Sequence, residues 1–231
     1  MSRGGKIPFK AVMFDLDGTL IISAIDFMRF RARLMEYIEA KGADMDGYSM
    51  EDTSVSLISK FTKEMERKGA ESRTIDAYLD EIDAFIDEIE LDNIMETMPA
   101  PGAEALLRRL KRGGVKIGVL TRGSPTYARK ALHISGLEGY IDEIVARDRG
   151  SGIPPKPDPE SAFALAKKLN VRAEESIMVG DFSIDFMCAR DSGIRFYGIA
   201  SDEESRKSLM ECGCEDISSD LDEFRKKVGL S

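Results

Sequence analysis

Phe9-Lys10-Ala11-Val12-Met13-Phe14-Asp15-Leu16-Asp17-Gly18-Thr19-Leu20 joins an apolar run to an acidic turn. The run, Ala11 to Phe14, predicts a short buried strand. It stops at two carboxylates separated by one leucine, followed by a glycine and a hydroxyl residue. A strand interior does not tolerate that chemistry, so the acidic pair belongs just past the strand's carboxyl end, where open α/β sheets bind ligands. Asp15 and Asp17 repel at this spacing, and the arrangement calls for a shared cation or proton. Gly18 relieves the backbone at the turn, and Thr19 offers a hydroxyl or an N–H to an oxyanion. An isolated pair of this kind reads as a polar loop after a strand. The downstream chain decides otherwise.

At 231 residues the chain is long for one compact core, which favours a large domain with an insertion. The 42% hydrophobic content suits a globular protein, and no apolar run approaches a membrane span. Met1 to Lys10 carries positive charge without an apolar core, so no signal peptide and a cytoplasmic location are expected. A net charge of −9 argues against a nucleic-acid partner, though not against a small anion, because a bound divalent ion inverts the local potential. Three cysteines, Cys188, Cys212 and Cys214, are too few for a disulfide framework and are expected reduced. Cys188 reads as a small core residue. The single histidine, His133, has no histidine or cysteine neighbour and is expected to be structural. Zinc chemistry and a Ser-His-Asp triad therefore lack their residues.

After Leu20 the pattern turns helical. Phe27, Phe30, Leu34, Tyr37 and Ile38 recur at three- and four-residue steps, predicting a helix over 25–41 that Gly42 ends. Arg29, Arg31 and Arg33 on it are expected to be a solvated basic face. Leu57, Ile58, Phe61 and Met65 mark a second helix, stopped by Gly69. A third, capped by Ser72, carries Ile75, Tyr78, Leu79, Ile82, Phe85, Ile86 and Ile89, with Asp76, Asp80, Glu81, Asp83, Asp87, Glu88 and Glu90 opposite as a solvated acidic face. No strand is expected between about 23 and 97, so this segment is an all-helical insertion.

Met98-Pro99-Ala100-Pro101-Gly102 breaks the pattern, and strict alternation follows. Helices at 103–112, 125–134, 159–169 and 183–192 each precede a strand, at 116–120, 141–145, 176–179 and 195–199, and a helix near 218–228 closes the chain. Alternating apolar strands and helices predict an α/β core, a Rossmann-like, doubly wound parallel sheet with helices on both faces.

Each strand that can face a common crevice ends in chemistry. The strand before Thr121-Arg122-Gly123-Ser124-Pro125 ends in a hydroxyl and backbone N–H groups opening a helix, a cradle for phosphate or carboxylate. Lys156 sits within Pro154-Pro155-Lys156-Pro157-Asp158-Pro159, where four prolines restrict the loop. Gly180-Asp181-Phe182-Ser183-Ile184-Asp185 puts Asp181 at a strand tip and Asp185 one helical turn on. Singly, Thr121 and Ser124 are helix caps, Lys156 a surface lysine and Asp181 another cap. Together they place acids, a hydroxyl and a lysine at the carboxyl ends of parallel strands.

These residues resemble the four motifs of the haloacid dehalogenase-like superfamily, and look most like its phosphoglycolate phosphatase-type branch. Phe14 to Leu20 matches the first motif, Thr121 the second, Lys156 with Pro157 the third, and Gly180-Asp181 with Asp185 the fourth. The resemblance implies a core at 1–22 and 98–231, with a helical cap at 23–97. It implies a phosphatase in which Asp15 is the nucleophile and Asp17 the general acid and base. Thr121, Arg122, Gly123 and Lys156 would bind the phosphoryl group, with Lys156 keeping Asp15 ionised. Mg2+ would be held by Asp15, Asp181, Asp185 and the backbone carbonyl of Asp17. The expected partner is a small phosphorylated metabolite, with no nucleic acid or membrane, in a monomer or homodimer. The alternatives are a phosphomutase of the same fold and, from another class, a non-catalytic binding protein.

Overall fold

The computed structural model describes residues 7–230. Residues 1–6 of the N-terminal stretch read as carrying no leader lie outside the described residues. The described chain divides into two compact units, one running to Ser23 and resuming at Ile94, the other spanning Ala24–Asn93.

The first unit begins with β1 (Ala11–Phe14), whose four residues are all fully buried. After β2 (Ile21–Ile22) the chain leaves for the helices α1 (Phe27–Ala40), α2 (Ser54–Arg67) and α3 (Ser72–Leu91). It returns through β3 (Met98–Pro99), α4 (Ala103–Arg112), β4 (Lys116–Leu120), α5 (Pro125–Ile134) and β5 (Glu143–Val145). Then follow α6 (Pro159–Lys168), β6 (Ser176–Gly180), α7 (Ser183–Asp191), β7 (Arg195–Ile199), α8 (Glu203–Glu211), β8 (Ile217–Ser218) and α9 (Leu221–Lys227).

Six strands form one parallel sheet in the order β5-β4-β1-β6-β7-β8. β1 lies between β4 and β6, with Ala11 opposite both Lys116 and Ser176. The chain builds toward β5 on one side of β1 and toward β8 on the other, so the strand order switches there. A crevice opens at such a point, outside the strands' carboxyl ends. One face of the sheet, through Ala11, Met13, Met178 and Phe196, packs on Ala162, Leu165 and Leu169 near α6, Cys188 and Ala189 of α7, and Leu209 of α8. Gly118 in β4 admits this layer, since a Cβ there would stand 2.9 Å from methyls of Leu165 and Leu169. On the other face the Tyr197 ring meets Phe224 of α9 at 5.3 Å. β2 and β3 form a separate antiparallel pair, Ile21 with Pro99 and Ile22 with Met98.

The second unit is helical. Leu34 and Ile38 of α1, Leu57, Phe61 and Met65 of α2, and Ile82, Phe85, Ile86 and Ile89 of α3 form its core. Gly42 and Gly69 end α1 and α2 at φ +80° and +83°, a left-handed conformation that glycine adopts without steric cost. The charged faces are more structured than expected. Arg29 pairs with Asp92, Arg33 with Glu88 and Lys41 with Glu81, and Glu90 is buried. These pairs form because α1 and α3 present opposite charges to one another.

Several boundaries differ from expectation. Ser72 is the first residue of α3 and not its cap; Glu71 precedes the helix without a side-chain cap bond. β5 starts at Glu143; at Asp142 the N–H still donates to Ile117 O at 2.8 Å, but the carboxylate takes the place of a backbone carbonyl, accepting from Ile117 N at 2.8 Å and pairing with Lys111. α8 and β8 intervene where no element was expected. α8 buries only Leu209 and β8 has two residues, so neither leaves a periodic signal. α9 starts at Leu221, with Asp220 accepting from Glu223 N at 2.7 Å. Among the described residues, no helix is long and apolar enough to cross a membrane.

Candidate active site

Three neighbouring strands deliver the chemistry. Asp15 directly follows β1, and its N–H is tied to Val179 O of β6 at 2.8 Å. Thr121 follows β4, with its N–H on Val145 O at 3.0 Å. Asp181 follows β6. Gly18 makes the first turn possible: its φ is +81°, and a Cβ would lie 2.2 Å from Asp181 Oδ2. Thr19 donates its hydroxyl to Asp181 Oδ1 at 3.2 Å, so this side chain orients a carboxylate.

Lys156 is only 1% exposed, which rules out the surface reading. Its Nζ donates to Asp15 Oδ1 and, at 2.6 Å, to Asp185 Oδ1. Asp185, buried in the first turn of α7, turns its other oxygen to the Phe182 N–H at 3.1 Å. Gly180 allows this, because a Cβ would come within 2.6 Å of the Asp185 side chain. Asp15, Asp181 and Asp185 each offer an oxygen, all within 4.8 Å of one another. Hard carboxylate oxygens in that arrangement suit Mg2+, which takes few protein ligands and keeps waters.

The electrostatics point the same way. Burial raises the Asp15 carboxyl well above the ordinary range; Lys156 lowers it, while Asp185, Asp181 and Asp17 push it up again. Burial and then Asp185 push Asp181 up to about 7, against Lys156 and the Thr19 hydrogen bond. Burial alone would depress Lys156, but Asp15 and Asp185 overcome it and raise the ammonium above its usual value. The Lys156 ammonium is bonded to Asp15, and the Asp15 carboxyl still stands above its ordinary range because burial and three neighbouring carboxylates oppose that one positive charge. A divalent cation is the charge that would redress the balance.

On the β4 side, Thr121 Oγ1 accepts from Gly123 N at 2.9 Å. This leaves the threonine's own hydrogen as the donor, but directs the Gly123 amide inward, where it was expected to face a substrate oxygen. The Arg122 guanidinium donates to the Lys156 carbonyl. Ser124 is a helix cap, accepting from Tyr127 N at the start of α5. Two residues escaped the sequence reading. Arg147 braces the loop through Nε on Arg122 O at 2.9 Å and N on Gly123 O at 3.0 Å. Tyr127 donates its hydroxyl to Asp17 Oδ1. No pattern in the sequence marks Tyr127; in the fold its ring passes where a Cβ on Gly123 would meet it at 2.6 Å. Asp17 is raised by burial and lowered by Tyr127, Ser23 and Lys156, ending above its ordinary value.

The remaining candidates lie elsewhere. His133 is exposed and pairs with Glu138 at 2.9 Å. All three cysteines are free, and Cys188 is fully buried in the core.

A family model described as haloacid dehalogenase-like hydrolase matches residues 9–193. A phosphoglycolate phosphatase of Cupriavidus necator is 30% identical over 193 residues, covering 81% of this chain and 79% of its own. The pyrophosphatase PpaX of Bacillus cereus is 30% identical over 190 residues, covering 80% of each. A predicted phosphatase from Clostridium acetobutylicum shares the fold, with a TM-score of 0.66 at 24% identity over 95% of this chain and 98% of that one. With a parallel sheet whose strand ends carry Asp15, Thr121 and Asp181 around the buried Lys156, the chain belongs to the haloacid dehalogenase-like hydrolases, and resembles their phosphoglycolate phosphatase-type members.

Proposed function

We propose that this hydrolase is a Mg2+-dependent phosphatase that removes the phosphoryl group from a small phosphomonoester through an aspartyl-phosphate on Asp15. The observation that carries the reading is the buried Lys156 ammonium, bonded to Asp15 and Asp185 next to Asp181. A carboxylate is a weak nucleophile toward an anionic phosphoryl group, so positive charge has to stand close by. Mg2+, bound by Asp15, Asp181, Asp185 and the Asp17 carbonyl, would supply charge neutralisation at the phosphoryl oxygens.

The chain's own groups account for the remaining steps. An Asp15 oxygen attacks phosphorus as the bond to the leaving oxygen breaks, and Asp17 gives that oxygen its proton. Asp17 then takes a proton from the water that attacks the aspartyl-phosphate, releasing phosphate and restoring Asp15. Thr121 donates its hydroxyl to a phosphoryl oxygen, and Lys156 binds another; the Arg122 N–H is a further donor. The helical unit, Ala24–Asn93, is proposed to act as the cap that selects the substrate. The relatives' names support a small phosphorylated substrate, and phosphoglycolate is the first compound to try.

Phosphate release from p-nitrophenyl phosphate, with and without Mg2+, tests the reading. Turnover should require both Mg2+ and an intact Asp15; turnover unchanged in Asp15→Asn overturns it. Substrate choice is tested with a panel of phosphorylated metabolites, where phosphoglycolate should rank among the fastest.

A further inference from the structure

We propose that Tyr127 is a positioning residue for proton transfer at Asp17, its hydroxyl fixing the carboxyl that protonates the leaving oxygen. The proposal rests on the phosphatase reading above. Tyr127 and Asp17 are 110 residues apart in the chain, and the contact joins α5 to the loop after β1. The ring is only 1% exposed, among the largest fully buried side chains. A buried phenol needs an acceptor, and a backbone carbonyl would satisfy it equally well. Here the acceptor is the acid expected to move the proton.

The surroundings are shaped to allow this. Gly123 presents no side chain where a Cβ would lie 2.6 Å from ring Cδ1 and 3.1 Å from Cε1, so the ring passes directly over the backbone beside Thr121. The ring has little freedom of its own: its two torsions are set by packing, and the hydroxyl oxygen lies in the ring plane. Ser23 also bonds the Asp17 carboxyl, but it is half-buried and a serine hydroxyl turns freely. With Oδ1 accepting from the locked phenol, the carboxyl plane is set, and Oδ2 is the oxygen that would carry the proton in transit. The same phenol bond favours the carboxylate that forms once the proton has gone.

A purely structural Tyr127 would tie α5 to the loop and weaken every substrate alike. A positioning role makes the loss depend on how badly the leaving group needs a proton. Substituted phenyl phosphates of nearly equal shape separate the two, read as kcat/KM, which covers the steps through phosphoryl transfer to Asp15. Nitrophenolate departs without help, whereas a methoxyphenolate gains from protonation. Tyr127→Phe should lower kcat/KM for p-methoxyphenyl phosphate about tenfold or more, the loss expected for a hydrogen bond to a charged group. The loss for p-nitrophenyl phosphate should be about threefold or less, and that retained turnover reports a folded enzyme. In an Asp17→Asn background, adding Tyr127→Phe should cost p-methoxyphenyl phosphate turnover nothing further. Equal losses for both compounds, no loss for either, or an undiminished loss in the Asp17→Asn background would overturn the proposal. Failure of the underlying reading looks different: wild type releasing phosphate from neither compound, or unaffected by Asp15→Asn, removes both.

Discussion

Replacing Lys156 with methionine removes the ammonium that touches both Asp15 and Asp185 while keeping most of the side chain's apolar volume. Lys156 is 1% exposed and the two carboxylates are buried, so both are left in a pocket that water does not readily enter. Removing one partner of a buried ion pair costs about 3–5 kcal/mol. The lower end, about 3 kcal/mol, is expected, because a buried carboxylate that has lost its cationic partner can relieve its charge by taking up a proton. For a protein of this size that corresponds to a fall in Tm of roughly 6–12 °C. Since the cost is uncompensated negative charge, Mg2+ should recover part of it, and should raise the Tm of the variant more than that of wild type. Thermal unfolding of both proteins in chelator and in excess Mg2+ measures each quantity. A fall under about 2 °C, or a larger one that Mg2+ leaves untouched, would mean that Lys156 contributes packing alone and that the acids are not a charge-starved cluster.

Other perturbations follow from the same geometry. Gly18→Ala puts a Cβ 2.2 Å from Asp181 Oδ2 at a φ of +81°, and should lower stability by about 1–3 kcal/mol and weaken Mg2+ activation, checked by chemical denaturation and Mg2+ titration. Asp17→Asn should reduce turnover of a poor leaving group by roughly 10²–10⁴-fold, measured as phosphate release. Asp181, with a folded pKa of about 7 against an ordinary 3.8, should make the metal-free protein lose stability as pH rises from about 4 to 7, and Asp181→Asn should flatten that slope in pH-dependent melts. In the helical unit, Glu64 is held down to about 2 by Lys68, the Asp44 N–H and the Tyr48 hydroxyl. Its stabilisation is present above pH 4.5 and lost as pH falls toward 2, so Glu64→Gln should cost on the order of 1–2 kcal/mol at neutral pH, allowing for the solvent around Lys68, and almost nothing near pH 2.

How much the amino-acid order revealed depended on the range of the interaction. β1 and the central strands read clearly because both of their faces are covered, which leaves continuous apolar runs such as Ala11 to Phe14. Asp15 and Asp181 were legible because each sits where an apolar run stops, and Lys156 because four prolines surround it. α8 and β8 were not, since a helix burying only Leu209 and a two-residue strand carry no period. The start of β5 was set by Asp142 reaching Ile117 N, a bond between residues 25 apart. Within the site, the partners of Thr19 and Tyr127 lie 162 and 110 residues away, so only the folded chain reveals which hydroxyl meets which carboxyl. The direction of the Gly123 amide is a matter of local backbone geometry that residue type does not specify.

The central claim is that the phosphoryl group passes through Asp15. Acid quenching during turnover, followed by mass spectrometry of the peptide containing residue 15, tests it most directly, ideally in Asp17→Asn, where hydrolysis of the intermediate is slowed. The account predicts a phosphoryl adduct on Asp15 that hydroxylamine removes and that Asp15→Asn lacks. Turnover with no adduct at that residue, or with the adduct on another side chain, would contradict it.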